Sequence, residues 1–478
     1  MQDRRGKPHS SDRRPRFKAG ARKPKPNASA APAKPQRRPG FAARRLAVGL
    51  IAAVVEQGQS FDQRWATLAK SADFVELEAR DRAFVRLLAA TTLRRQGELE
   101  HVLKAFLDKP LPADKGLLWP ILLSGAAQLV CLDLPAHAVV DLCVELARAD
   151  RGARRFDRLT NAVMRRVSER GKAMLENVDA ARLNTPAWLL ARWETTYGTE
   201  TAHRIAEASL REAPVDLSLK PMSPDAVAAF ATSISARVLP TGSLRLTTHQ
   251  RIEDLPGFAD GQWWVQDAAA ALVGRAVGPV AGLEVADLCA APGGKTASLA
   301  SAGAKVTAVD VSEKRLGRLR ENMRRLALDI EVVVADAATW APERQFDVVL
   351  LDAPCSATGT VRRHPDLLRQ KTQADIERLM PLQARLIDHA ATLVKPGGLL
   401  VYSTCSLEPE EGTAQVTAFL ARNPAFSRSP IDAGAIGAEP SWVTPEGELR
   451  TLPFHLTLDP PEFSGMDGFY VACLRRGS

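Results

Sequence analysis

Two cysteines stand in turns that suit a reactive thiol. Cys355 lies in DAPCSATG (Asp352–Gly359), and Cys405 lies in YSTCSLEPEE (Tyr402–Glu411). A thiolate is a soft, strong nucleophile, and its formation is favoured beside a cation or a helix N-terminus. Cys405 precedes a helix expected to begin near Glu408, and Cys355 precedes Arg362, Arg363 and His364. Both settings could therefore activate a thiol. Cys131, Cys143 and Cys473 fall within apolar runs and read as core residues. No CxxC pair and no secretory leader is present, so neither a disulfide framework nor a structural zinc site is expected, and no metal is needed.

The remaining cysteine, Cys289, sits in DLCAAPGGKT (Asp287–Thr296), a glycine-rich turn after an apolar run. A strand that ends in such a turn before a helix brings backbone N–H groups close to a ligand. One reading is a phosphate-binding NTPase loop. Gly294, Lys295 and Thr296 fit its second half, but its first glycine falls on Cys289, and Pro292 removes a donor from the cradle. The other reading is an adenosyl group without a pyrophosphate. That ligand needs acids at strand ends, to hold ribose hydroxyls, an adenine amine and an ammonium. Asp310, Asp336 and Asp352 close the next three expected strands. Any one of them could be a helix N-cap. Three in succession around a glycine loop favour a ligand.

The elements that position these residues follow from periodicity. From Leu283 onward, strands alternate with helices, the pattern of a mostly parallel sheet covered on both faces. Strands are expected at 283–289, 305–311, 331–337, 346–353, 398–404 and 469–475, with helices over Lys295–Ser301, Glu313–Leu328, Asp375–Leu393 and Glu410–Arg422. If the strand order sets the fourth beside the fifth, the two lie about 4.8 Å apart. Cys355 and Cys405 would then share one mouth beside the glycine loop. Upstream, apolar residues recur at helical spacing in Ala43–Val55, Asp81–Arg94, Leu99–Leu107, Leu117–Leu132, Ala136–Ala149 and Asp157–Val167. The expected organisation is a basic arm over 1–39, an all-helical domain over 40–172, a small α+β connection over 173–265 and an α/β Rossmann-like domain with a seven-stranded sheet over 266–478. In the connection, Pro186–Gly198 reads as a helix, and SLRLTT and WWVQDAAAALV as short strands and then a helix.

Paired thiols beside an adenosyl site suggest a definite chemistry. Carbon 5 of cytosine is a poor nucleophile. Addition of a thiolate to carbon 6 makes carbon 5 enamine-like and able to take up a methyl group, which is covalent catalysis. An amine-methylating site would instead favour an N/D-P-P-Y/F turn, whereas Pro354 is followed by Cys355.

Five motifs in order, DLCAAPGGKT, VTAVDVSEKRL, DAPCSATGT, STCSLEPEE and DGFYVACLRR, resemble the RNA cytosine-5 methyltransferases over residues 250–478. The stretches RDRAFVRLLAATTLRR (Arg80–Arg95), LLSGAAQLVCLDLPAHAVVDLCVELAR (Leu122–Arg148) and RFDRLTNAVMRRV (Arg155–Val167) resemble the helical RNA-binding domain NusB. Together they are similar to the bacterial small-subunit (16S) rRNA enzymes of the Sun/Fmu type. The resemblance implies a class I methyltransferase fold, S-adenosylmethionine as cofactor and rRNA as substrate, with tRNA or large-subunit rRNA as alternatives. A non-catalytic RNA-binding assembly factor is a further alternative, against which the intact cysteines and glycine loop argue. It also implies nucleophilic attack by Cys405 and RNA release assisted by Cys355. Cofactor contacts carried over are Cys289, Ala290, Ala291, Pro292, Gly293, Gly294, Lys295, Asp310, Asp336 and Asp352. Asn161, Arg165 and Arg166 are candidate RNA contacts, with a solvated helix face as the plain alternative.

Composition bounds the partners. The formal charge of the 478 residues is +9, yet residues 1–40 carry 13 Lys/Arg against Asp3 and Asp12, or +11, which leaves 9 − 11 = −2 for the rest. The arm has seven prolines and few apolar residues, so disorder is expected, as either a loose phosphate-binding tether or a solubilising tail. The long arm departs from the family pattern. The most apolar stretch, Leu117–Leu132, contains Pro120, Ser124 and Gln128 and is shorter than the roughly 20 residues of a membrane span. A monomeric cytoplasmic protein without a membrane partner is expected.

Overall fold

The helical part is built around one large apolar core, with a smaller cluster at Leu50, Ile51, Val54, Phe61, Ala89 and Leu93. The computed structural model describes residues 38–248 and 250–478. The arm up to residue 37 and His249 lie outside the described residues, and so does the expectation of disorder. Helices run over Phe41–Val55, Phe61–Leu68, Ala79–Arg94, Gln96–Lys104, Leu118–Ala126, Ala136–Ala149 and Asp157–Arg170. Their apolar faces meet at Leu88, Val102, Leu122, Ala126, Cys143 and Val163, all buried. All six helical stretches expected from periodicity form, although the third, Leu99–Leu107, ends at Lys104. Phe61–Leu68 escapes that reading because only Phe61 is buried on it, so no apolar period marks it. Leu118–Ala126 continues as a π-turn over Ala127–Cys131 and ends before Pro135.

The connection holds more structure than its pattern suggests. After helices Ala187–Tyr197 and Thr199–Ser209 comes an antiparallel sheet of β1 (Asp216–Leu219), β2 (Ala236–Val238), β3 (Leu244–Leu246) and β4 (Trp263–Val265), in the order β2-β3-β1-β4. β3 and β4 form within SLRLTT and WWVQDAAAALV, as expected, whereas β1 and β2 are four and three residues long, too short to show a two-residue period clearly.

The second sheet carries the site. Its strands are β5 (Glu284–Leu288), β6 (Lys305–Asp310), β7 (Glu331–Val334), β8 (Phe346–Asp352), β9 (Val394–Thr404), β10 (Phe426–Arg428), β11 (Leu449–Arg450) and β12 (Tyr470–Arg476). The order is β10-β12-β9-β8-β5-β6-β7, with β11 paired to β12, which makes eight strands where seven are expected. The eighth is a two-residue pairing at an edge, with no pattern of its own. Strands β7, β6, β5, β8 and β9 run parallel, and β12 joins β9 antiparallel. Neighbouring residues alternate between the two faces. Val285, Val348, Val401 and Val471 enter one core, and Ala286, Val349, Leu400 and Ala472 the other. From β5 the chain moves outward through β6 and β7, then returns to place β8 on the other side. That reversal opens a crevice at the carboxyl ends of β5 and β8, where such sheets bind ligands.

The helical part is fastened to this sheet beside the Cys355 segment. Arg94 Nη2 donates to the Arg362 carbonyl at 3.1 Å, and the Phe61 amide to Asp366 at 3.0 Å. His364 meets Asp62 at 2.9 Å.

Candidate active site

The glycine turn opens from β5. Ala290 N–H donates to the Val309 carbonyl at 3.1 Å, which ties the turn to β6. Gly293 adopts φ +102° and starts the helix Gly294–Ser301; a Cβ there would lie 2.9 Å from Leu319 Cγ. Its own conformation and its packing both require glycine. Lys295 leans back from this helix to bond Asp352 at 2.7 Å, 4.9 Å from the centroid of the Phe469 ring. Ser403 donates to the other oxygen of Asp352 at 3.0 Å. Burial pulls the Lys295 ammonium down, but Asp352, with Cys405 and Asp287 behind it, outweighs burial and holds its pKa above the ordinary value.

The strand-end acids have different settings. Asp310 closes β6 as expected, and it is buried. One carboxylate oxygen accepts from Ser312 N–H at 2.9 Å and Arg315 at 2.7 Å, and the other from Ala291 N–H at 3.3 Å. It thus braces the glycine turn from the next strand. Asp352 closes β8, as expected. Asp336 does not close its strand: β7 ends at Val334, and exposed Asp336 instead accepts from Ala338 N–H at 2.9 Å in a turn. The run VVVAD reads as one strand, but the chain turns after Val334, where the parallel pairing with Asp310 stops.

Two features of the crevice were not singled out in the sequence. Val311 is 66% exposed directly after Asp310, and Val334, beside Asp310 in the register, is 49% exposed. Large apolar side chains left open between two acids suit the flat face of a base. Asp287 is buried, with Oδ2 accepting from Thr296 at 2.6 Å and Oδ1 without a partner. Burial first, then Asp352 and Asp310, push its carboxyl up to about 7 against the opposing pull of Thr296 and Lys295. The glycine cradle, the open valines and the unpartnered oxygen fit an adenosyl cofactor. Asp287 opens the motif DLCAAPGGKT, so its position was visible, whereas its burial was not.

The two cysteines meet. β8 and β9 pair with Asp352 opposite Ser403, so the turns after them face each other, and Cys355 Sγ lies 3.5 Å from Cys405 Sγ. Gly359 fixes this meeting. Its N–H donates to the Cys405 carbonyl at 3.0 Å, and its carbonyl accepts from Gly468 N–H at 2.8 Å. A Cβ on Gly359 would come within 2.0 Å of the Gly468 carbonyl oxygen. The bond with Cys405, burial and the nearby Glu411 carboxylate hold the Cys355 thiol well above its ordinary pKa, against a bond from the Ala357 backbone. Cys405 instead lies within electrostatic reach of the Lys295 ammonium.

The expected activating cations of Cys355 are engaged elsewhere. Arg363 pairs with Asp267, and with Asp467 at 3.1 Å, and Arg362 donates to the Ser464 carbonyl at 2.8 Å. His364 faces Asp62. Nor does a helix start at Glu408: a 3₁₀ turn covers Pro409–Glu411, and the helix begins at Thr413. Glu408 is instead buried against Arg192 at 2.8 Å and Trp193 at 3.1 Å. Cys289 adopts φ +60° within the glycine turn, and burial pushes its thiol up to about 12. Cys143 and Cys473 are buried, and burial likewise raises Cys131, Cys143 and Cys473 to about 11, 12 and 12. Arg165 and Arg166 are exposed on the last helix of the helical part.

A crevice at the switch point of a mostly parallel sheet, with a glycine turn and strand-end acids, defines a methyltransferase fused to a helical domain. The NusB family matches residues 42–169, and the family 16S rRNA methyltransferase RsmB/F matches residues 276–475. The ribosomal RNA small subunit methyltransferase B of Vibrio cholerae is 36% identical over 447 residues, covering 91% of this chain and 97% of that protein. Its counterpart in Xanthomonas campestris is 37% identical, over 92% of this chain and 98% of that protein. The crystal structure of PH0851 superimposes with a TM-score of 0.69, at 23% identity, over 93% of this chain and all of that one, and so shares the fold. The chain belongs to the ribosomal RNA small subunit methyltransferase B family.

Proposed function

We propose that this enzyme methylates carbon 5 of a cytosine in small-subunit rRNA. The observation that carries the reading is the pair of thiols 3.5 Å apart beside the Lys295–Asp352 pair. S-adenosylmethionine supplies the electrophilic methyl group when bound. Residues Cys289 to Lys295, with Asp310, Asp336 and Asp352, would hold it, joined by Asp287, Val311 and Val334. Asp310 does so by bracing the turn.

Cys405 is the attacking residue. Its sulfur forms a bond to carbon 6 of the cytosine, and the displaced electron pair makes carbon 5 nucleophilic. After methylation, carbon 5 loses its proton, and the carbon–sulfur bond breaks to free Cys405. Cys355 serves release of the RNA. Two surroundings support this division. Cys355 is kept as a thiol by its neighbours, and a thiol is a poor nucleophile. Cys405 lies within electrostatic reach of the Lys295 ammonium.

The target base must leave its stack to reach a site at the bottom of this mouth. The helical part over 40–172, with Arg165 and Arg166 outward, provides a second RNA-binding domain, joined through 173–265 to the catalytic domain over 266–478. No helix among the described residues is long and apolar enough to cross a membrane. A ribosomal substrate places the protein in the cytoplasm, and one copy carries every residue named.

The test is methyl transfer from labelled S-adenosylmethionine to unmodified small-subunit rRNA, with bisulfite sequencing to find the cytosine. Cys405→Ala should neither methylate nor form an adduct. Cys355→Ala should accumulate an RNA–protein adduct that survives denaturation. The reverse pattern refutes the assignment, and transfer only to tRNA or large-subunit rRNA refutes the substrate.

A further inference from the structure

Each of the two cysteines is followed immediately by a serine, Ser356 and Ser406. Both hydroxyls converge on one carboxylate. Ser406 Oγ donates to Glu411 Oε2 at 2.6 Å, and Ser356 Oγ donates to the same oxygen. The other oxygen, Oε1, accepts from Ser356 N–H at 2.9 Å and from Gln383 Nε2 at 3.0 Å. Gln383 also donates to the Pro354 carbonyl at 2.9 Å, just before Cys355. Glu411, Ser356, Ser406 and Gln383 are all fully buried. The carboxylate is therefore held by four neutral donors. A buried charge survives only where such bonds replace its hydration, and here three of the four donors come from the residues following the cysteines.

We infer that Glu411 is a positioning residue for methyl transfer: its carboxylate ties the Cys355 turn to the Cys405 turn and so sets the spacing of the two sulfurs. The turns leave different strands, and each is a loop with few regular backbone bonds of its own. Backbone pairing between β8 and β9 ends at Asp352 and Ser403, before either cysteine. Beyond that point the tie from Glu411 supplements the bond from Gly359 N–H to the Cys405 carbonyl. The Tyr402 hydroxyl donates to the Glu411 carbonyl at 2.8 Å, which anchors the backbone that carries the tie.

The tie bears on function only through the two-thiol reaction proposed above, whereas its spacing can be read without RNA. Phenylarsine oxide condenses with two adjacent thiols, forming two arsenic–sulfur bonds and releasing water. Wild-type protein should bind it through Cys355 and Cys405, and Cys355→Ala should remove that binding. Glu411→Ala, which removes the carboxylate, should weaken arsenical binding about tenfold or more, because two drifting thiols lose their effective concentration. The same variant should lower kcat by about a hundredfold with the RNA KM unchanged, the effect of an ångström-scale misplacement. Glu411→Gln should recover most of both losses. Its amide oxygen can take the bonds from Ser356 N–H and Gln383, and its amino group can donate to hydroxyls that turn round.

Unchanged arsenical affinity in folded Glu411→Ala overturns the inference, as does a loss in KM alone. Should Glu411→Ala fail to fold, Ser356→Ala and Ser406→Ala, singly and combined, cut the same tie from the other side; full arsenical affinity in the combined variant overturns it too. If the wild type methylates no RNA, the proposed reaction fails, and the tie stands or falls on arsenical binding.

Discussion

Gly359→Ala should cripple methyl transfer without touching a reacting atom. The new Cβ would sit 2.0 Å from the Gly468 carbonyl oxygen, 2.7 Å from its carbon and 2.8 Å from its α-carbon, all backbone. Real Cβ contacts stay beyond 3.0 Å, so one strand of backbone must move by at least 3.0 − 2.0 = 1.0 Å. Two hydrogen bonds stand in the way, from Gly359 N–H to Cys405 and from Gly468 N–H to Gly359. Losing both costs about 2 kcal/mol, and overpacking adds about 1–3 kcal/mol. The shift falls on the turn that sets Cys355 against Cys405. An ångström of misplacement is worth about a hundredfold in rate. Transfer of labelled methyl to rRNA should show kcat down by about that factor. Thermal unfolding should show a lowered Tm. Wild-type kcat with an unchanged Tm would refute the claim that this contact holds the two cysteine turns together.

Two further outcomes follow from buried and seam charges. Arg363→Met strands Asp267 and Asp467, both buried, and should cost about 3–5 kcal/mol, read as a fall in the denaturant midpoint; an unchanged midpoint would show that the cluster is not coupled to folding. At the seam between the helical part and the catalytic sheet, burial pulls His364 down, but Asp62 outweighs it and raises the imidazole pKa. A raised group stabilises fully below its unfolded pKa of about 6.5 and loses that effect as pH rises through its folded value. Asp62 is lowered, chiefly by His364, so its share is lost only in acid. The Tm advantage of wild type over His364→Gln should therefore be present at pH 5.5 and shrink toward pH 8.5; a difference independent of pH would contradict this pairing.

Motifs, period and spacing together made much of the protein legible. The glycine turn, Lys295, Asp310, Asp352 and both cysteines stand in short, local patterns, because each must leave a strand at a set residue. Most helices of the first part followed from a period of 3.6 residues, and strands β5, β6, β8, β9 and β12, with the start of β7, from the alternation of strands and helices. Elements that bury little or are very short lacked that signal. Phe61–Leu68 presents one buried residue, and β1 and β2 are only four and three residues long.

What the sequence by itself determined is a pair of cysteines in turns after two strands, beside a loop suited to an adenosyl group. Its local chemistry left the two thiols equivalent, each with apparent cations or a helix close in sequence, and only the family resemblance told them apart. The tertiary structure gives them different surroundings. Arg362 and Arg363 turn away to distant carbonyls and carboxylates, Lys295 comes within reach of Cys405, and Glu411 lies behind Cys355. The physical reason is that charge acts through space. A residue seven positions along the chain can point away, while one more than a hundred positions off closes the site.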